Sequence, residues 1–160
     1  MNEHKPEPRF MEQAIRLATE NVTSGNGGPF GAVIVKDGQV IATGANCVTS
    51  SNDPTAHAEV TAIRNACQAL GTFKLDGCEV YTSCEPCPMC LAAIYWSRCD
   101  VIYYGNSAAD AAKVGFDDAL FYQEVMLPHA ERQLPIHQLI PEKAWESFAE
   151  WDKSPLKVEY

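Results

Sequence analysis

An α/β layered domain with a mixed sheet is the fold class that this sequence predicts, and three observations carry it. Helix-period and strand-like segments alternate along the chain. Asp37-Gly38 separates two short apolar runs, the signature of a β-hairpin. The chain has 160 residues, 46% hydrophobic and 21% charged, enough for one globular core and too few for two domains.

The elements follow in order. Met1 to Arg9 holds charges and two prolines with no apolar run, so it reads as a solvated, flexible tail rather than a signal peptide, and 10–160 as the domain. Phe10, Ala14, Leu17 and Ala18 recur at helical spacing, giving a helix over 10–22 that the glycine-rich stretch from Ser24 to Pro29 ends. Ala32–Val35 and Val40–Ala42 form the hairpin strands. Thr49 to Pro54 is a polar loop. A second helix runs from about Thr55 to Leu70, with Val60, Ile63, Cys67 and Leu70 on one stripe and Gly71 stopping it. Glu79 to Ser83 is a strand. Pro88 to Trp96 is a third helix, with proline tolerated in its first turn. Val101 to Tyr104 is a strand ended by Gly105, and the rest is mostly helical, with short helices at Asp110–Val114 and Glu142–Ala149. The longest apolar run, Leu91 to Trp96, is far short of a membrane span.

Acidic residues outnumber basic ones 21 to 12, a net charge of −9, and the lysines and arginines are scattered. A nucleic-acid partner would call for a basic face. A small neutral ligand suits this balance better. Seven cysteines, an odd number, place the chain in a reducing compartment and speak against a disulfide scaffold.

Two short motifs carry chemistry: His57-Ala58-Glu59 and Pro86-Cys87-Pro88-Met89-Cys90. One imidazole and two thiolates make three zinc ligands and leave the fourth position open, as catalytic rather than structural zinc sites do. Water held there is acidified to a pKa of roughly 7. Both motifs fall at helix starts, where the positive end of the helix dipole favours thiolate and hydroxide. Glu59 is not needed as a ligand and is placed to carry protons. His-x-Glu followed by Pro-Cys-x-x-Cys is a signature of zinc-dependent nucleobase deaminases.

Plainer alternatives bear on each residue. Cys-x-x-Cys alone could be a redox pair. Cys84, Cys87 and Cys90 have the even spacing of an iron–sulfur site, but the further Cys-Pro such a site requires is absent: Ile94 and Tyr95 stand there. Cys84 then reads as a packed thiol at a strand end, and Cys47, Cys67, Cys78 and Cys99 as ordinary small residues. His4, His129 and His137 have no metal spacing and read as surface residues. No Gly-Lys-Ser/Thr follows the glycines at 25–31, so they form no phosphate loop.

With these motifs the chain resembles the cytidine deaminase-like superfamily from about Phe10 to its end, and within it the short zinc-dependent bacterial guanine deaminases. The resemblance rests on Gly27-Gly28-Pro29-Phe30-Gly31-Ala32-Val33, Asn46, Asp53 to Glu59, Thr82 to Cys90, Tyr95-Trp96, Gly115-Phe116-Asp117-Asp118 and the terminal Tyr160. It implies a three-layer α/β/α fold around a five-stranded mixed sheet. It implies a cytoplasmic homodimer whose C-terminal segment is exchanged between subunits to close the partner's pocket, with one zinc ion per subunit. It assigns His57, Cys87 and Cys90 to the metal and Glu59 to catalysis. Phe30, Asn46, Ala58, Trp96, Asp118 and Tyr160 fall to a purine. Charge and spacing do not separate Asp117 from Asp118; the family pattern favours Asp118.

The implied reaction is hydrolysis of guanine to xanthine and ammonia, a step of purine catabolism or salvage. Attack falls at C2, and Glu59 moves a proton first to N3 and then to the leaving amine. Guanine presents donors at N1 and its 2-amino group, to which a carboxylate such as Asp118 is the matching acceptor. The rivals are guanosine, which needs room for a ribose, tRNA adenosine, which the net charge disfavours, and cytosine. A non-catalytic zinc protein is the reading from another class.

Overall fold

Asp37 and Gly38 both take positive φ, 51° and 70°, the backbone that a two-residue hairpin turn demands. They join β1 (Gly31–Lys36) to β2 (Gln39–Ala45) in the computed structural model, which describes residues 4–160. β3 (Cys78–Cys84) pairs antiparallel with the other side of β1, and β4 (Val101–Asn106) pairs parallel with β3. The sheet is therefore mixed, in the order β2-β1-β3-β4. It has four strands among the described residues, where the family resemblance implied five. β4 is left as an edge.

β1 is buried on both faces, so its side chains divide between two cores. Ala32 and Ile34 join Val80 beneath α3 (Ala58–Leu70) and α4 (Pro88–Ser97). Val33 and Val35 join Tyr81, Phe10 and Ala14 beneath α1 (Pro8–Thr23). These are the three layers the resemblance implied. Each fully buried Val or Ile contributes about 1.5–3 kcal/mol. α3 lies close on β2 at Gly44, where a Cβ would stand 2.3 Å from the Ala58 carbonyl oxygen. That contact sets the start of α3, and so the place of His57 and Glu59.

Several boundaries differ from expectation. α1 begins at Pro8 rather than Phe10, because proline at N1 gives up no hydrogen bond. Part of the expected tail is tied to the sheet: His4 bridges Glu79 (2.9 Å) and Asp100 (3.2 Å), and the Glu7 amide donates to the Tyr81 hydroxyl. Residues 1–3 of that tail lie outside the described residues. α3 starts at Ala58, with His57 as its N-cap, so His57 precedes the first turn instead of sitting in it. The polar loop contains a short helix, α2 (Val48–Ser51). β4 runs through Gly105 because Asn106 pairs with Cys84.

The last third holds α5 (Ala108–Lys113), α6 (Asp118–Met126), a single 3₁₀ turn at His129–Glu131, and α7 (Pro141–Lys153). Sequence periodicity misses α6. α7 has no buried residue, although it carries Trp145, Phe148 and Trp151. No helix of the described residues is long and apolar enough to cross a membrane.

Candidate active site

Two helix starts meet at the C-terminal end of β3. His57 caps α3, Cys87 caps α4 behind Pro86 and ahead of Pro88, and Cys90 lies one turn into α4. The prolines hold φ in the range a helix start requires. The His57 Nδ1 lies 3.6 Å from the Cys87 sulfur and 3.5 Å from the Cys90 sulfur. A tetrahedral ion with Zn–S near 2.3 Å and Zn–N near 2.05 Å requires nitrogen–sulfur separations of about 3.6 Å. The three ligand atoms all lie within 4.8 Å of one another and fit zinc. Zinc, when held by them, keeps its fourth position for water.

The electrostatics follow from this crowding. A hydrogen bond from Cys90 pulls the Cys87 thiol well below the ordinary cysteine range, with His57 adding to the effect. Cys90 is pushed up by sharing that hydrogen with Cys87 and by burial. The hydrogen bond to Cys87 raises the pKa of His57. Metal binding takes both cysteines as thiolates and His57 as neutral imidazole, so it releases protons.

Glu59 is buried two residues beyond His57, and its Oε1 accepts from the Thr82 hydroxyl at 3.2 Å. Burial raises its pKa. A carboxyl held up in this way beside an acidified water is suited to take a proton and give it back.

A cavity of about 280 Å³ opens over the metal ligands. That is the small end of the range for ligand pockets, about 300–1,000 Å³. Phe30, Asn46, His57, Glu59 and Asp118 all line it. Asn46 Oδ1 accepts from the amides of Gly28 (3.4 Å) and Val48 (3.3 Å), which leaves its amide NH₂ as the free donor among the described residues. Asp118 opens α6, and burial raises its pKa, with the Cys87 thiolate adding to the effect. Ala58 is fully buried between His57 and Glu59 and does not line the cavity.

Trp96 and Tyr160 are placed differently. They pair with each other, ring centroids 5.6 Å apart, over a separate apolar groove on α3 and α4. In this chain neither reaches the metal pocket. The structure adds residues that sequence reasoning missed. Phe116 lines the pocket and meets Phe30 edge-on, 4.8 Å between centroids at 84°. Glu85 and Pro54 also line it. The Gly-Phe-Asp-Asp segment was a signal for Phe116, and Glu85 directly precedes the second motif. Neither carried a chemical role without its partners.

A three-layer α/β/α domain with a His/Cys/Cys donor set at a strand end and a buried carboxylate beside it defines the class of zinc-dependent hydrolytic deaminases. The chain belongs to the cytidine and deoxycytidylate deaminase family: residues 4–106 match its zinc-binding region. Guanine deaminase from Bacillus subtilis (strain 168) is 57% identical over 146 residues, 88% of this chain and 94% of that one. The crystal structure of a Bacillus subtilis guanine deaminase superimposes with a TM-score of 0.94 at 52% identity, covering 98% of this chain and 99% of the other. A guanine deaminase structure from Nitrosomonas europaea gives 0.67 at 32% identity, covering 72% and 66%. A tRNA-specific adenosine deaminase from Agrobacterium fabrum is 52% identical over 77 residues, 48% of this chain and 51% of its own. The chain is a zinc-dependent deaminase.

Proposed function

We propose that the substrate is guanine, hydrolysed to xanthine and ammonia. The observation that carries this is the placement of the Asp118 carboxylate, an acceptor, in the same small cavity as Glu59 and the three metal ligands. Guanine offers donors at N1 and the 2-amino group to an acceptor there, and acceptors at O6 and N7 to the free NH₂ of Asn46. Phe30 and Phe116 give the ring an apolar wall. The likeness to guanine deaminases over nearly the whole chain supports the reading, whereas the tRNA-specific relative matches only half of it.

His57, Cys87 and Cys90 would hold a zinc ion, which when bound supplies a water acid enough to ionise near neutral pH. Glu59 takes the proton that this water gives up and delivers it to purine N3 as C2 is attacked. It then takes the remaining proton from the hydroxyl added at C2 and gives it to the 2-amino nitrogen, which leaves as ammonia as the C2 carbonyl forms. Asp118 and Asn46 orient the base.

Trp96 and Tyr160 complete the pocket in a homodimer, supplied by a second copy. In support, Trp145, Phe148 and Trp151 stand exposed on α7, and β4 has a free edge. The odd number of cysteines, all seven of them free, suits the cytoplasm. The test is ammonia release from guanine by zinc-loaded protein against a metal-stripped control. Zinc-dependent conversion to xanthine is expected. Release from guanosine, cytosine or tRNA but not guanine overturns the substrate.

A further inference from the structure

Asp118 and Phe116 reach the pocket from a segment that contributes little to either core. Between Ala108 and Tyr122, Ala111 alone is buried, and Gly115 sits mid-segment at φ +94° with nothing within 4 Å of where a side chain would start. A chain of this kind does not hold a carboxylate in place by packing. It is held instead from the metal-binding loop, at both ends. At its start, Glu85 Oε2 accepts from the Ala108 amide at 2.9 Å, while the Glu85 amide donates to the Asn106 carbonyl at 2.8 Å. At its end, the Tyr122 hydroxyl donates to the Pro86 carbonyl at 2.8 Å. Glu85 and Pro86 are consecutive, and Cys87 follows them. The two residues that grip the segment are thus joined directly to a metal ligand.

We infer that Glu85 and Tyr122 are positioning residues: they fix the segment from Ala108 to Tyr122 against the metal loop and so hold Asp118 and Phe116 over the metal ligands. The inference rests on the proposed guanine reading for its kinetic test and on geometry alone for the rest. The role of Glu85 is hydrogen-bond acceptance, not charge. A misplacement of about 1 Å at a positioning group costs on the order of 10²-fold in rate.

The experiment compares Tyr122→Phe, Glu85→Ala and Glu85→Gln, each loaded with zinc, for metal content, kcat and KM on guanine. Tyr122→Phe and Glu85→Ala are expected to keep one zinc per chain and lose about tenfold or more in kcat/KM, chiefly through KM. Glu85→Gln still offers an acceptor oxygen and recovers most of what Glu85→Ala loses. With Asp118→Ala and Phe116→Ala already present, Tyr122→Phe adds less than about twofold, because the groups it positions are gone; with Asp118→Ala alone its penalty is already smaller. Wild-type kcat and KM in Tyr122→Phe, or Glu85→Gln as impaired as Glu85→Ala, overturns the inference. So does a Tyr122→Phe penalty undiminished beside Asp118→Ala. Amide hydrogen exchange over residues 108–122 reads the same tie without substrate. Protection falls in Tyr122→Phe and Glu85→Ala and persists in Glu85→Gln. Unchanged exchange overturns the inference, whereas wild-type protein inert toward guanine overturns only the substrate.

Discussion

Glu59 separates binding of the metal from use of it. Its carboxyl is buried, receives the Thr82 hydroxyl and stands outside the His57, Cys87 and Cys90 donor set. Glu59→Ala is therefore expected to keep stoichiometric zinc, measured by elemental analysis, and to lose at least about 10² in turnover. His57→Ala loses zinc and activity together. Normal turnover by Glu59→Ala would move the proton shuttle elsewhere, and Asp118 and Glu85 are the other carboxylates that line the same cavity. These residues were legible in the sequence because each lies in a short motif whose spacing brings it to a helix start. Tyr122 was not. Its hydroxyl meets a carbonyl 36 positions away, and no local pattern carries that contact. Trp96 and Tyr160 were legible only through the family resemblance, and within one chain they sit on another face.

Among the elements, α3 does most to place the site, and Gly44 lets it approach the sheet. A Cβ there would meet the Ala58 oxygen at 2.3 Å and the Ala62 nitrogen at 2.5 Å, both backbone atoms of α3. Gly44→Val is expected to cost about 1–3 kcal/mol or more by overpacking, and to weaken zinc binding as α3 is displaced. Thermal unfolding and zinc titration measure the two effects; unchanged values of both would show that α3 gives way freely. The N-terminal arm makes a second case. Hydrogen bonding to Glu79, with Asp100 adding to it, raises the His4 pKa above its ordinary 6.5. Protonated His4 then stabilises the arm fully below about pH 6.5, and this is lost as pH rises through the folded value. An NMR titration should place His4 above 6.5, with the protection factor of the Glu7 amide, corrected for intrinsic exchange, falling over the same range and staying flat in His4→Ala. A His4 value at or below 6.5 would refute this stabilisation. Sequence periodicity showed α1, α3 and both hairpin strands, since each has one clear pattern. It missed α6 because Phe121, Val125 and Met126 stay exposed and form no core-facing stripe.

At the scale of the whole molecule, one chain leaves apolar surface that its own core does not cover. Trp145, Phe148 and Trp151 are 65%, 64% and 44% exposed, and β4 has a free edge. Contiguous exposed apolar surface of this kind marks an interface. If a second copy covers it and supplies Trp96 and Tyr160 to the pocket, the catalytic machinery of each site is divided between two chains. Mixing two inactive variants tests that division. One is Glu59→Ala, whose C-terminus is whole; the other ends at Lys157 and keeps Glu59. In a mixed dimer, the truncated chain's Glu59 meets the other chain's intact terminus and forms one working site. Random reassortment of equal amounts gives mixed dimers in about half the population, each with one live site of two, so roughly a quarter of wild-type activity should return. If Tyr160 serves the pocket of its own chain, every site in the mixture lacks either Glu59 or the terminus, and none returns. Subunit exchange confirmed by mass spectrometry, with no recovered activity, would therefore place each site within a single chain.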